Sequence, residues 1–214
     1  MDVYLWSVEK GVRLIPLEIV NDVTSISFSP TGEILAVARD DGSIHLISPH
    51  ESSPRVYIGP ISTDAVGALS WRPTSPIQRA SEDELQEWLV IGAFDGQVVL
   101  LEIKWSLNEF KASVVKVAGW KGMHNDQICG IAWSKDGLAF ATGANDNRLY
   151  TYEMPVGTGN AGPQEHWEKK FEWMHDAAVK ALAFKAGKGS VLAAGIPSTN
   201  LLPFSTLGRF ELTR

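Results

Sequence analysis

Four residues between His124 and Glu153 could share one proton chain: His124, Thr142, Asp146 and Tyr152. An imidazole, a hydroxyl, a carboxylate and a phenol in that order support two chemistries. In one, a His–Asp pair activates the threonine as a nucleophile. In the other, the side chains satisfy one another inside the fold and hold a hairpin in place. No oxyanion loop or second base accompanies them, so the set reads as structural, and no enzymatic activity is expected. Asn145, within the run Asn145-Asp146-Asn147, has a different potential. An amide side chain both donates and accepts, so it can pair with a peptide backbone or with Asn and Glu side chains. Its plain alternative is a turn-forming residue.

Other chemically capable residues are isolated. Cys129 is the one cysteine and falls inside an apolar run, where an inert small hydrophobe is expected rather than a nucleophile. His45, His50 and His166 show no ligand spacing, and neither metal nor cofactor is expected. The stretch "VGTGNAGP" lacks the Lys-Ser/Thr that completes a phosphate cradle.

The elements that must position these residues form an internal repeat. "VTSISFSP" from Val23, "VGALSWRP" from Val66, "ICGIAWSK" from Ile128 and "VKALAFKA" from Val179 superimpose without gaps. The fourth position is a large aliphatic (Ile26, Leu69, Ile131, Leu182) and the sixth is aromatic (Phe28, Trp71, Trp133, Phe184). The third and fifth are small throughout. Period-two patterning means β-strand, and large and small faces together predict a strand covered on both sides by stacked sheets. A second and a third run follow each, joined by Asp41-Gly42, Asp95-Gly96 or Asp146-Asn147, residues suited to a tight hairpin. Outer strands are predicted at "RVYIG", "ASVVKVAGW" and "KKFEWM". Such four-stranded units are the mark of a propeller blade. Thr74–Glu87 is read as a polar insertion with a short helical turn, its acidic run solvated, and Met154–Lys170 as a surface loop.

Composition narrows the partners. A net charge of −6 over 214 residues argues against a nucleic-acid or anionic-membrane footprint. No apolar run reaches the roughly eighteen residues of a membrane helix, and the amino terminus does not read as a signal peptide. A single cysteine cannot form an internal disulfide, which fits a reducing compartment.

"DVYLWS" at Asp2–Ser7 resembles the end of a WD40 repeat, with Trp6 in the position of the repeat's tryptophan. "HNDQICGIAWSKDGLAFATGANDN" and "HDAAVKALAF" resemble consecutive blades of the Cdc20/Fizzy and Cdh1/Fizzy-related activators of the anaphase-promoting complex, and "VGALSW" is similar to the segment before them. The likeness runs to about Gly195. Ile47, Leu101 and Tyr152 stand where many such repeats have Trp, and Ala144 replaces a glycine. The resemblance implies an all-β partial WD40 propeller of about three complete blades plus parts of two others. In that reading 1–20 ends a blade, 21–60, 61–120 and 121–174 are full blades, 175–195 opens another, and 196–214 is a divergent tail.

It further implies a non-catalytic adaptor in the nucleus or cytoplasm. That adaptor binds the ligase and substrate degrons on the propeller's top face, with Asn145 helping to receive a KEN-type motif. The family's seven blades, C-box and Ile-Arg tail exceed this sequence, which suggests a truncated product or imperfect gene model. Loop insertions suggest a fungal meiotic branch. A generic WD40 interaction scaffold and a non-functional fragment are the alternatives.

Overall fold

Each apolar run becomes a strand because its alternating side chains face two different neighbours. The computed structural model describes residues 3–17, 22–49, 55–73, 79–81, 84–106, 111–154, 167–185, 191–195 and 210–211. A first hairpin pairs β1 (Val3–Ser7) with β2 (Val12–Leu17). Blade I then runs β3 (Val23–Phe28), β4 (Leu35–Arg39), β5 (Ile44–Ile47) and β6 (Arg55–Ile58). In blade II, β7 (Val66–Trp71) and the short β8 (Arg79–Ser81) both pair with β9 (Glu84–Ala93), which is followed by β10 (Val98–Ser106) and β11 (Lys111–Trp120). Blade III runs β12 (Ile128–Trp133), β13 (Ala139–Ala144), β14 (Arg148–Glu153) and β15 (Glu168–Met174). The last sheet holds β16 (Ala181–Phe184), β17 (Val191–Gly195) and β18 (Phe210–Glu211). Every pairing is antiparallel. The result is a partial β-propeller.

Innermost strands β3, β7, β12 and β16 lie side by side. At each joint the large fourth and sixth residues of one inner strand pack on the preceding sheet. Leu69 and Trp71 join a core with Ile34, Ala36 and Leu46, whereas Ile131 and Trp133 join one with Ala68, Val90 and Leu100. Leu182 and Phe184 join Ala141 and Leu149 in the same way. The small residues opposite permit the approach: a Cβ on Gly130, at the third position, would already stand 3.5 Å from the Ala181 Cα, and at the second position one on Gly67 would come within 2.3 Å of the Ile128 carbonyl oxygen. Burial on both faces holds for the middle of the wheel only. At one end Ile26 and Phe28 are 55% and 51% exposed, and at the other Ala181 and Ala183 are exposed.

Two further expectations are corrected. Where a helical turn was predicted between Thr74 and Glu87, Arg79–Ser81 is the strand β8, and β9 begins at Glu84. The acidic run is not simply solvated, because extending β9 backward turns Leu85 and Glu87 inward by strand alternation. Glu87 is 1% exposed and accepts a hydrogen bond from Thr31 Oγ1 of blade I at 2.7 Å. Residues 155–166 of the predicted loop, with His166, and most of the tail, as well as His50, lie outside the described residues.

Candidate binding face

The three hairpins between second and third strands share one construction. In each, an aspartate side chain caps the turn: Asp41 Oδ1 accepts from Ser43 N, Asp95 Oδ1 from Gln97 N, and Asp146 Oδ1 from Arg148 N, all at 3.0 Å. The residue after each aspartate turns left-handed, with φ of 78° at Gly42 and Gly96 and 66° at Asn147. Glycine is required at the first two by space as well. A Cβ on Gly42 would stand 2.4 Å from the Ser62 carbonyl oxygen, and one on Gly96 would stand 2.3 Å from that of His124. The turns therefore rest directly on the loops that enter the following blade, and both sets of loops form one face. Asn147 meets the same demand by a backbone bond, accepting from His175 N at 2.8 Å.

The second carboxylate oxygen of each aspartate reaches a different partner. Asp41 pairs with Arg39 at 3.2 Å and Asp95 accepts from Ser62 Oγ at 2.8 Å. Asp146 Oδ2 accepts from Asn125 N at 2.9 Å, while Nδ1 of His124 lies 3.1 and 3.2 Å from its two oxygens. Ser62 precedes Val66 by the same four positions that separate His124 from Ile128, so it is blade II's counterpart of the histidine. Sequence comparison could have found it by that offset; the change of residue type concealed it.

Of the four residues proposed as one chain, three are joined by close hydrogen bonds. His124 Nε2 lies 2.9 Å from Thr142 Oγ1. Burial holds the imidazole below its ordinary pKa against the opposing pull of Asp146. A neutral ring facing a carboxylate carries its proton on Nδ1, so Nε2 accepts from the threonine hydroxyl. Thr142 is 0% exposed, so its hydroxyl is closed to any substrate. Tyr152 is the loosest member: its buried hydroxyl lies beside Thr142 without a hydrogen bond of good geometry, and burial, opposed by Thr142, pushes its pKa up. Its ring instead stacks on Phe140, with centroids 4.6 Å apart. The aromatic side chain against His124 is Tyr150, edge-on at 4.7 Å, whose hydroxyl donates to the Met123 carbonyl at 2.8 Å. Both tyrosines lie on one face of β14, two residues apart, and the cross-strand register is what separates them. The register sets Tyr150 across from Thr142 and Tyr152 across from Phe140, so the two tyrosines meet different partners.

Asn145 is half-buried beside the start of β12, where its backbone N–H donates to the Gln127 carbonyl at 2.9 Å. Its side-chain oxygen accepts from Lys180 Nζ, across the joint from the last sheet, and from Cys129 Sγ at 3.1 Å. Its Nδ2 reaches Gln127 Oε1 only at 3.5 Å, which leaves a weakly engaged amide donor beside an exposed ammonium. Cys129, expected as a buried hydrophobe, is half-buried and takes part in this polar group. On the same face a cleft of about 390 Å³ opens between the Asp41 and Asp95 turns, floored by Pro60 and Ile61. Among the described residues no three His, Cys, Asp or Glu side chains group closely enough to hold a metal ion, and no helix is long and apolar enough to cross a membrane.

Comparison with known proteins agrees with this geometry. The family model for the WD domain, G-beta repeat, matches residues 19–48 and 120–153. An uncharacterized WD repeat-containing protein of Schizosaccharomyces pombe is 34% identical over 92% of this chain and 33% of its own length. Meiotic fizzy-related protein 2 of the same yeast is 28% identical over 93% of this chain and 34% of its own. Arabidopsis thaliana cell division cycle 20.5, cofactor of APC complex, is 28% identical over 90% of this chain and 38% of its own. The chain thus spans about a third of the length of the curated relatives it matches. A chain in the crystal structure of a mitotic checkpoint complex shares the fold with a TM-score of 0.65 at 24% identity, covering 93% of this chain and 52% of that one. The protein carries WD40 repeats on a partial propeller and is similar, along most of its length, to Fizzy-related and Cdc20-type cofactors.

Proposed function

We propose that this chain selects protein substrates for the anaphase-promoting complex, binding degron peptides on the face that carries Asn145 and performing no chemistry itself. The observation that carries the reading is the polar group at the joint between blade III and the last sheet. There the Asn145 amide and the Lys180 ammonium present donors side by side at a loop-built face. A peptide brings backbone carbonyls and side-chain oxygens to such donors. Similarity to cofactors of the APC complex supports the ligase as partner. The sealed state of Thr142 and His124 supports a structural role for the His–Asp–Thr chain. A nuclear or cytoplasmic location follows from the same reading.

The test is direct binding of a labelled KEN-type peptide, followed by fluorescence anisotropy. Asn145→Ala, confirmed as folded by its melting curve, weakens the peptide by roughly five- to tenfold, the value of one hydrogen bond of about 1 kcal/mol or slightly more. Equal affinity in the variant and the parent removes Asn145 from the site.

A further inference from the structure

The residue before the capping aspartate holds the same place in all three hairpins. Its backbone N–H donates to the carbonyl just ahead of its blade's inner strand: Asp40 to Asp22 at 3.1 Å, Phe94 to Ala65 at 2.8 Å and Asn145 to Gln127 at 2.9 Å. These side chains stand on the loop-built face and differ in kind from blade to blade: an exposed carboxylate, a half-buried phenyl ring and a half-buried amide. Blade III shows what a side chain at this place touches. The Asn145 oxygen accepts from Cys129 Sγ at 3.1 Å, the second residue of its own repeat, and from Lys180 Nζ, the second residue of the next.

Blade II meets the same geometry with an aromatic ring over a glycine. The second residue of its repeat is Gly67, and a Cβ there would stand 3.2 Å from Phe94 Cδ1 and 2.3 Å from the Ile128 carbonyl oxygen. The ring and the start of β12 therefore meet at one glycine. Ile128 precedes Cys129, which bonds Asn145, so the ring and the polar group are neighbours on one surface. Phe94 joins none of the apolar cores among the described residues. A half-buried phenyl ring outside every core leaves apolar area facing water, and covering that area is favourable.

We propose that Phe94 sets the specificity of this face by receiving an apolar side chain that follows the acid–amide pair of a peptide, an inference that rests on the degron site proposed at Asn145. In a KEN-type motif a glutamate precedes an asparagine. The glutamate pairs with the Lys180 ammonium, and the asparagine pairs with the Asn145 amide, which both donates and accepts. That order directs the peptide from the last sheet across blade III toward blade II, so its next residues pass over Phe94. Packed sheets stand about 10 Å apart and an extended residue spans about 3.3 Å, which places the apolar side chain about three residues beyond the asparagine. A motif followed only by polar residues forgoes this contact. The face thus separates one acid–amide motif from another by what comes after it.

Fluorescence anisotropy reads the outcome, with labelled KEN-type peptides that differ only by leucine or alanine at successive places after the asparagine. Leucine about three places on tightens binding roughly fivefold over alanine, the effect of partly covering one apolar side chain. In Phe94→Ala, confirmed as folded by its melting curve, the two peptides bind equally well. A leucine analogue carrying a diazirine at that place, bound to the unaltered chain and irradiated, cross-links at or beside Phe94, a readout that needs no variant. A leucine advantage that survives Phe94→Ala, no advantage at any place, or cross-links confined to other blades overturns the role of Phe94 and leaves degron binding at Asn145 standing. No peptide binding by the parent chain at all overturns both.

Discussion

The Trp133 indole N–H donates to the Ser70 carbonyl oxygen at 3.0 Å, and Trp71 makes the same 3.0 Å bond to Ser27. Each ring closes the joint between its own inner strand and the preceding one. Aromatic residues at the sixth position of the repeat are thus more than bulk: where the residue is tryptophan, it ties adjacent blades by a directed bond as well as by apolar contact.

Trp133→Phe keeps an aromatic ring but removes the donor together with the five-membered part of the buried indole. It should lower stability by about 2 kcal/mol or more, since the Ser70 carbonyl loses a partner and the smaller ring leaves space in the joint. Urea denaturation of the variant checks the figure, and an unchanged midpoint would show that water replaces the indole without loss.

Gly96→Ala and Gly32→Ala separate conformational strain from collision. Both residues have φ of 78°, but a Cβ at Gly32 meets nothing within 4 Å, whereas at Gly96 it strikes the His124 backbone. Alanine at 32 should cost about 1–2 kcal/mol for its left-handed backbone alone. At 96 the loss should be larger by about 2 kcal/mol or more, because the entering loop of blade III must move. Melting temperatures of the two variants give the comparison; equal losses contradict the packing of turn on loop.

Acid should weaken the His124 chain. Its folded pKa lies below the ordinary value of 6.5, with burial as the main cause, so the unfolded chain takes up the proton first as pH falls. The linked stability is whole above 6.5 and declines from there down through the folded pKa. In His124→Gln this part of the acid limb should flatten, as measured by urea midpoints across the range. A limb of the same slope in parent and variant would place the titration elsewhere.

Glu87 has the opposite sign. Burial raises its pKa above 4.5, against hydrogen bonds from Thr31 and Ser29, so its folded form binds the proton more tightly than the unfolded chain does. The associated stability is present below 4.5 and lost as pH rises through the folded value. Oε2 has no hydrogen-bond partner, so the ionised form bears an uncompensated desolvation cost. Glu87→Gln should therefore raise the melting temperature near neutral pH and confer little at about pH 4. A variant less stable than the parent near neutrality would mean that the Thr31 bond outweighs the buried charge.

Strand periodicity, the Asp-Gly and Asp-Asn turns, and the large and small faces of the inner strands were legible as residue types at fixed spacing. They express local rules: alternation of side chains along a strand, and the few residues that accept a left-handed turn. The hairpin around Asp146 followed from the same pattern, whereas its link to His124 was implied by the likeness to WD40 repeats, since the position of His124 is Ser62 in blade II.

What the tertiary structure decided depends on residues far apart in the chain. Tyr150 lies against His124 and Tyr152 against Phe140 because the β13–β14 register, and not nearness in sequence, sets which side chains meet. Glu87 is buried because Thr31 of another blade lies over it, and Asn145 shares its oxygen with Lys180 across a joint. Ile26 and Phe28 carry the same residue pattern as their buried counterparts, yet they remain exposed. A sequence states that such a face needs a neighbour; only the packed chain shows whether one is there, because burial belongs to the pair of surfaces and not to either alone.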